Sequence, residues 1–409
     1  MQTFIKDELR QTPDGKEADR ILRSCVHCGF CTATCPTYRL LGDELDGPRG
    51  RIYLIKGLLE GKETTGKTLL HLDRCLTCRA CETTCPSGVE YGHLLDIGRH
   101  HLEQQIKRPL PQRFVRRFLQ KTLPYRNRFA ALLRLGRLVR PLLPGGIKKR
   151  IPPFIEPGPL PGSTHTRKVI LFQGCVQAAL SPRTNAALMR VLDRLGIMAI
   201  TVNGEGCCGA LDYHMADHAS ARDYIKNNID RWWPNLANDN VEAIVTTASG
   251  CGVMIKDYGF ILRDDPDYAE KAARISALCR DVAEIFTEKD VEKLRRGIHP
   301  RESSVVFQEP CTLQHGQKLQ GLTARILSGL GFNLNAVREG HICCGSAGVY
   351  SLLQPKLSRQ LRHDKLSDLL SGDPGMILTA NIGCQMHLQQ VTEVPVKHWI
   401  EEVDQALAD

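Results

Sequence analysis

Two cysteine runs of identical spacing bracket the first hundred residues. Cys25-x2-Cys28-x2-Cys31-x3-Cys35-Pro36 is repeated as Cys75-x2-Cys78-x2-Cys81-x3-Cys85-Pro86. At this spacing thiolates hold a cubane of iron and sulfide. The first three cysteines curl round one cluster, and the fourth, before proline, reaches the other. The ligand sets expected are Cys25, Cys28, Cys31 and Cys85 for one [4Fe-4S] cluster, and Cys75, Cys78, Cys81 and Cys35 for the second. A chain holding two such centres moves single electrons. A zinc ribbon needs only two separated Cys-x2-Cys pairs, and each run here carries more. Disulfides need an oxidising compartment. The opening MQTFIKDELRQTPDGKEADR is polar and lacks the apolar segment of a signal peptide, so cytoplasmic metal chemistry is expected.

The chain of 409 residues exceeds a minimal ferredoxin several-fold, and its 42% hydrophobic content supplies ordinary globular cores. No apolar run reaches the length of a membrane-spanning helix. Three zones are expected. Residues 1–106 form an α-helical ferredoxin domain. The 39 residues between Cys35 and Cys75 include Gly50–Leu59 with helical apolar spacing, an insert that resembles the helical ferredoxin domains of respiratory iron–sulfur subunits. Residues 107–162 form a basic amphipathic segment and a linker. From Lys107 to Arg150 there are 14 Lys and Arg and no Asp or Glu, so the net charge of +9 becomes −5 for the rest of the chain. Basicity so localised argues against a general nucleic-acid surface. Phe114, Phe118, Phe129, Leu132, Leu133, Leu135, Leu138 and Val139 interleave with the arginines, predicting two amphipathic helices interrupted near Pro124. The segment 151–162 carries five prolines and reads as a stiff linker.

The third zone is a tandem repeat, divided at 163–300 and 301–409. Cys175 precedes Cys207-Cys208-Gly209 by 32 residues, and Cys311 precedes Cys343-Cys344-Gly345 by the same 32. Each unit adds one more cysteine after glycine, Cys251 and Cys384. Strands are expected at Lys168–Phe172, Ile197–Val202 and Ala243–Thr247, and at Ser304–Phe307, Phe332–Val337 and Met376–Ala380. Helices are expected from Arg183 to Leu195 and from Lys318 to Leu330. This alternation implies parallel sheets with ligands at the carboxyl ends of the strands. Only Cys279 is left over, as a small buried hydrophobe. Gly204-Glu205-Gly206-Cys207-Cys208-Gly209 formally matches the dinucleotide fingerprint, but the second copy keeps the cysteine pair and loses the glycine spacing. The cysteine pair is therefore the feature that carries the chemistry.

These repeats resemble the cysteine-rich CCG domains of heterodisulfide reductase B subunits. With the ferredoxin runs in the same chain, the layout resembles the iron–sulfur subunits of bacterial glycolate oxidase. Similar arrangements occur in anaerobic glycerol-3-phosphate dehydrogenase C subunits and lactate-utilisation proteins. The wording Cys25-Val26-His27-Cys28-Gly29-Phe30-Cys31, Gly47-Pro48-Arg49-Gly50-Arg51-Ile52-Tyr53 and His71-Leu72-Asp73-Arg74-Cys75 favours the glycolate family. That resemblance implies an electron-transfer subunit that carries no flavin. A partner flavoprotein, holding FAD, oxidises glycolate to glyoxylate, and this chain passes electrons to a quinone or another acceptor. It further implies a peripheral position on the cytoplasmic face of the inner membrane. The alternatives are the corresponding glycerol-3-phosphate or lactate subunit, a catalytic subunit whose CCG cluster acts directly on a disulfide or quinone, or a zinc-holding scaffold. One departure stands out. CCG domains of the heterodisulfide type end in Cys-x2-Cys, and Met254 and His387 occupy the last position here, leaving a further cluster or zinc open in each repeat. Arg74 and Arg79 are candidates for raising cluster potentials.

Overall fold

Turn chemistry and apolar periodicity divide the chain into a helical front and a sheet-bearing body. The computed structural model describes residues 1–237, 241–299 and 304–408. The 300/301 boundary between repeats therefore lies outside the described residues. In the front region, Pro13–Ser24 starts on a Thr12 cap that accepts from the Gly15 amide. Pro48–Leu59 and Tyr91–Gln105 pack against it around Ile21, Leu22, Ile55, Leu58, Leu72 and Leu94, all buried. Gly98 makes the close approach possible: a Cβ there would lie 2.7 Å from Ile55 Cγ1.

The basic zone forms two helices, Leu110–Thr122 and Arg126–Val139, broken at Pro124 as expected. The Pro-rich linker holds neither helix nor strand. It is tied back by Arg137 Nε and Arg140 Nε, which donate to the Pro152 and Ile151 carbonyls.

Each repeat builds a four-stranded, wholly parallel sheet. The first holds β1 (Arg167–Phe172), β2 (Ile197–Ile200), β3 (Val241–Thr246) and β4 (Cys279–Asp281) in the order β2-β1-β3-β4. The second holds β5 (Val305–Gln308), β6 (Leu334–Asn335), β7 (Met376–Thr379) and β8 (Val396–His398) in the order β6-β5-β7-β8. The order is the same in both copies. Pro182–Arg194 matches expectation, whereas the helix expected from Lys318 starts only at Leu322, after a left-handed Gly321. The strand expected over Phe332–Val337 shrinks to two residues, and β4 and β8 were not anticipated. Such three-residue edge strands carry too little alternation to be read from sequence. Cys279 is fully buried on β4, and burial pushes its thiol up to about 12.

The repeats share one hydrophobic core. Val169, Leu188 and Val245 of the first and Val305, Leu327 and Leu378 of the second lie in the same cluster, with the fully buried Trp399. The C-terminal helix Trp399–Ala406 packs back on Pro182–Arg194, where Arg190 Nη2 meets Asp404 Oδ2 at 2.6 Å. The Ser249 amide donates to the Ala380 carbonyl at 3.2 Å, joining the two sheets end to end.

His398 stitches the same seam: its Nε2–H donates to Thr247 O at 2.8 Å, and its Nδ1 accepts from the Ile400 amide. Both nitrogens are satisfied only in the neutral ring, and burial holds its pKa down to about 4 against an ordinary 6.5. The unfolded chain thus takes up the extra proton first. Stability is complete above pH 6.5 and is lost as pH falls towards 4, by about 3 kcal/mol for this group. His398→Gln is expected to flatten the acid side of a denaturation-versus-pH curve, and an unchanged slope between pH 4 and 6.5 would count against this assignment.

Candidate iron–sulfur sites and the central cavity

Both cysteine runs fold into the same loop. His27 and Gly29 in the first, and Thr77 and Arg79 in the second, take left-handed conformations at matching offsets from the first cysteine. Three of these four are not glycine, the kind of strain retained where a loop must wrap a group. Such turns aim successive amides inward, towards negative charge; the Thr77 amide donates to Cys75 Sγ at 3.5 Å. One small cavity is lined by Cys25, Cys28, Cys31 and Cys85, and another by Cys35, Cys75, Cys78 and Cys81. Burial pushes the Cys31 thiol up to about 11 and raises Cys25, Cys78 and Cys81 as well. A bare thiolate is costly in such surroundings, and bound iron would supply the compensating charge. The donor sets fit iron–sulfur clusters.

A buried polar knot sits beside the second cavity. Asp46, fully buried, accepts from His71 Nδ1 at 3.0 Å and from Arg74 Nη1 at 2.7 Å. Arg51, 1% exposed, donates to His71 O at 2.8 Å and Thr37 Oγ1 at 3.1 Å, and lies 3.4 Å from Asp46 Oδ1. Burial works against its charge, but Cys75, Tyr91, Cys35 and Asp46 nearby more than restore it. Tyr91 Oη donates to Cys75 Sγ at 3.7 Å. Arg74 thus serves Asp46, and Arg79 forms an ion pair with Asp257 of the first repeat. Arg51 and Tyr91 are the neighbours of the cysteines that the sequence reading missed. A lone arginine on the apolar face of Pro48–Leu59 was the available signal.

The repeat cysteines gather at the carboxyl ends of the strands. Cys175 and Cys311 follow β1 and β5, and the cysteine pairs follow β2 and β6. Cys251 and Cys384 lie in the first turns of Ser249–Lys256 and Ile382–Gln389, and hydrogen bonding with Cys208 together with burial raises the Cys251 thiol well above its usual range. Cys175 Sγ lies 3.6 Å from Cys207 Sγ, Cys311 Sγ 3.7 Å from Cys343 Sγ, and Cys344 Sγ 3.3 Å from Cys384 Sγ. The glycine of each Cys-Cys-Gly is left-handed, and its amide returns to the first sulfur of the pair at 3.5 and 3.4 Å. Glu205 from the formal dinucleotide match is a strut: its carboxylate accepts from the Gln173 amide and Trp232 Nε1, bracing the loops that carry Cys175 and Cys207. Met254 is buried, its methyl 3.5 Å from where a Gly209 Cβ would stand. His387 is buried with Nε2 3.2 Å from Ser358 Oγ, whose hydroxyl also reaches the Gly345 carbonyl at 2.7 Å.

All eight repeat cysteines face one cavity of about 560 Å³, which Cys75 and Leu76 of the second run also reach. Its roof comes from the basic helices through Gln112, Arg116, Leu123 and Phe129. The front region is clamped over it by Arg79–Asp257, by Arg39–Glu339 at 2.8 Å, and by Thr83 Oγ1, which donates to His315 Nδ1 at 2.8 Å. Cys78 and Cys311 pack beside Leu76, Cys343 and Tyr350 in one cluster.

Residues 21–89 match the 4Fe-4S dicluster domain, and residues 169–256 and 305–389 each match the cysteine-rich CCG domain. The chain is 54% identical over 409 residues to the glycolate oxidase iron–sulfur subunit of Escherichia coli K12, covering 100% of this chain and 99% of the relative. The chain belongs to the glycolate oxidase iron–sulfur subunit family. A probable glycolate oxidase iron–sulfur subunit of Bacillus subtilis is 29% identical over 94% of this chain and 91% of its own length. More distantly, one of the subunits of the CoM/CoB fumarate reductase of Methanothermobacter marburgensis is 23% identical over all of this chain and 77% of that one. As a member of the glycolate oxidase iron–sulfur subunit family, the chain is a non-flavin, iron–sulfur subunit of an oxidoreductase complex.

Proposed function

We propose that this chain is the iron–sulfur electron-transfer subunit of a glycolate-oxidising complex, the non-flavin partner of a flavoprotein that converts glycolate to glyoxylate. The observation that carries the reading is the continuity of its cysteines: the second ferredoxin run abuts the second repeat at Cys78 and Cys311, and both repeats open on one cavity. Two [4Fe-4S] clusters, held by Cys25, Cys28, Cys31 and Cys85 and by Cys75, Cys78, Cys81 and Cys35, would supply one-electron steps. The protein fixes their spacing, shields them from water and sets their potentials through Arg51 and the inward amides. The segments 1–106, 107–162, 163–300 and 301–409 serve as ferredoxin domain, docking segment and two CCG units.

In the repeats, Cys175, Cys207, Cys208 and Cys251, and Cys311, Cys343, Cys344 and Cys384, are assigned as ligands of further iron–sulfur centres. A zinc tetrahedron needs sulfurs about 3.8 Å apart throughout. Among the described residues only Asp43, Asp46 and His71 bring three metal-type ligand atoms within 4.8 Å of one another. The repeat sulfurs approach in pairs at 3.3 to 3.7 Å without a third closing on them, so the iron analysis decides between a polynuclear group and a single ion. The test is anaerobic purification with the partner flavoprotein, iron analysis, and electron paramagnetic resonance after adding glycolate. About eight irons per chain are expected from the ferredoxin clusters alone and twelve or more with filled repeats. Clusters that stay oxidised with glycolate and active flavoprotein present would overturn the reading.

The acceptor is assigned as a quinone and the location as the cytoplasmic membrane surface. No helix among the described residues is long and apolar enough to cross a membrane. The basic helices instead expose Leu110, Phe114, Phe118, Leu135 and Leu138 among their arginines. Such a face suits anionic lipid at about 1 kcal/mol per basic residue. The complex is expected to float with anionic vesicles at low salt and to be released by high salt; absence from the vesicle fraction at low salt would sink the assignment.

A further inference from the structure

We propose that the surface around Cys28 is where the partner flavoprotein docks and where electrons enter the chain. This rests on the electron-transfer reading above and adds which surface the partner covers. Of the seventeen cysteines only Cys28 is exposed. It lines the first ferredoxin cavity with Cys25, Cys31 and Cys85. The second cavity offers no such opening. Cys35 and Cys81 are buried, Cys75 and Cys78 are half-buried, and Cys78 packs against the second repeat. A protein donor too large to enter the fold therefore meets the relay at Cys28.

Apolar surface surrounds that sulfur. Val26 and Phe30 flank it in the chain and are 68% and 62% exposed. Tyr53, 54% exposed, stacks on His27 with ring centroids 4.4 Å apart, which plants it against the same loop. Tyr53 lies on one stripe of the helix Pro48–Leu59, continued at helical offsets by Arg49, Lys56 and the C-cap Glu60. Phe4 is also exposed and joins the far end of that stripe, its amide donating to Glu60 Oε1 at 2.8 Å. Arg49 pairs with Glu44 at 2.6 Å and Lys56 with Glu60 at 2.7 Å, so the apolar centre has an ionic rim. Apolar and aromatic side chains gathered inside a polar rim are the anatomy of a protein interface.

Charge narrows the partner. The charges acting on the His27 ring are cations: the N-terminal ammonium, Arg49 and Lys56. The ammonium is held there by the Arg23 and Cys25 carbonyls, at 3.1 and 3.0 Å. A flavoprotein presenting acidic residues round an apolar patch complements this face. Lipid over Cys28 would close the entry, whereas a flavin donor uses it. Only electrons cross the interface. A reduced flavin gives up two electrons and two protons as it is oxidised. The electrons pass singly to the cluster of Cys25, Cys28, Cys31 and Cys85, and the protons leave on the flavoprotein side.

The experiment measures binding of the partner flavoprotein to the anaerobically purified full chain by sedimentation. A parallel preparation carries a photo-crosslinking residue at position 53. Wild-type affinity is expected to fall as salt rises. Tyr53→Glu and Phe30→Glu should each weaken binding about 10-fold or more, and crosslinks from position 53 should map to the flavoprotein. Cluster spectra after dithionite reduction should match wild type, certifying that each variant is folded and loaded. Where Phe30→Glu disturbs the neighbouring ligand Cys31, Tyr53→Glu decides. Unchanged affinity in Tyr53→Glu overturns the proposal. So do crosslinks that reach only a second copy of this chain, or loss of flavoprotein binding on Phe114→Glu alone. The relay reading is judged separately, by reduction of the wild-type clusters with glycolate and flavoprotein. Clusters that reduce while Tyr53→Glu binds as wild type sink the docking face alone. Docking at this face with clusters that never reduce sinks the relay and leaves the interface.

Discussion

Cys78→Ser is expected to abolish electron flow through the chain, by about 100-fold or more, since even changes outside the ligand shell commonly cost 10- to 100-fold. A serine hydroxyl is a poor replacement for thiolate on iron. Cys78 stands where the ferredoxin region meets the cysteines of the second repeat, packed with Leu76, Cys343 and Tyr350. Losing its cluster breaks the series in the middle, whereas the centre built on Cys25, Cys28, Cys31 and Cys85 should still be reduced. Anaerobic iron analysis, spectroscopy of the remaining cluster and acceptor-linked turnover check this together. Full turnover in a variant that has lost about four irons would refute the order of the relay.

Arg51→Met should lower the midpoint potential of the second cluster and destabilise the domain by roughly 3 kcal/mol. The guanidinium is almost wholly buried beside Cys35 and Cys75, and a fixed cation there favours the reduced, more negative state. Its removal also leaves Asp46 with only Arg74 and His71 to answer a buried negative charge. Arg51→Lys separates the two effects. It keeps the charge and most of the potential but lacks the planar fork that reaches His71 O and Thr37 together, so stability should still fall. A redox titration followed by resonance amplitude, with anaerobic denaturation alongside, reads both quantities. An unchanged potential in Arg51→Met would remove the electrostatic role.

The division between what was legible and what was not follows the range of the interactions. Cysteine spacing is a local code. Two residues between ligands set a loop, and a proline after the fourth ends it, so Cys25–Cys85 could be grouped before any fold was known. The repeat was legible for the same reason: equal offsets from Cys175 to Cys207 and from Cys311 to Cys343 mark equal strand–helix–strand units. The edge strands Cys279–Asp281 and Val396–His398 escaped, being three residues long and specified by their neighbours rather than by their own pattern. Met254 and His387 stood out in the sequence as departures, but only the packing of one over Gly209 and the bond of the other to Ser358 say what they do instead.

By itself, then, the sequence determined the number and spacing of the cysteine sets, the parallel α/β character of the repeats and the family. Tertiary structure alone decided how those sets face one another. Thr83 meets His315 across 232 residues and Arg79 meets Asp257 across 178. No periodicity records such pairings, because they depend on how finished surfaces dock. The same docking brings Gln177 and Tyr350, far apart in the chain, to the wall of a single cavity. The shared cavity is a product of docking, while the cysteine sets are a product of spacing.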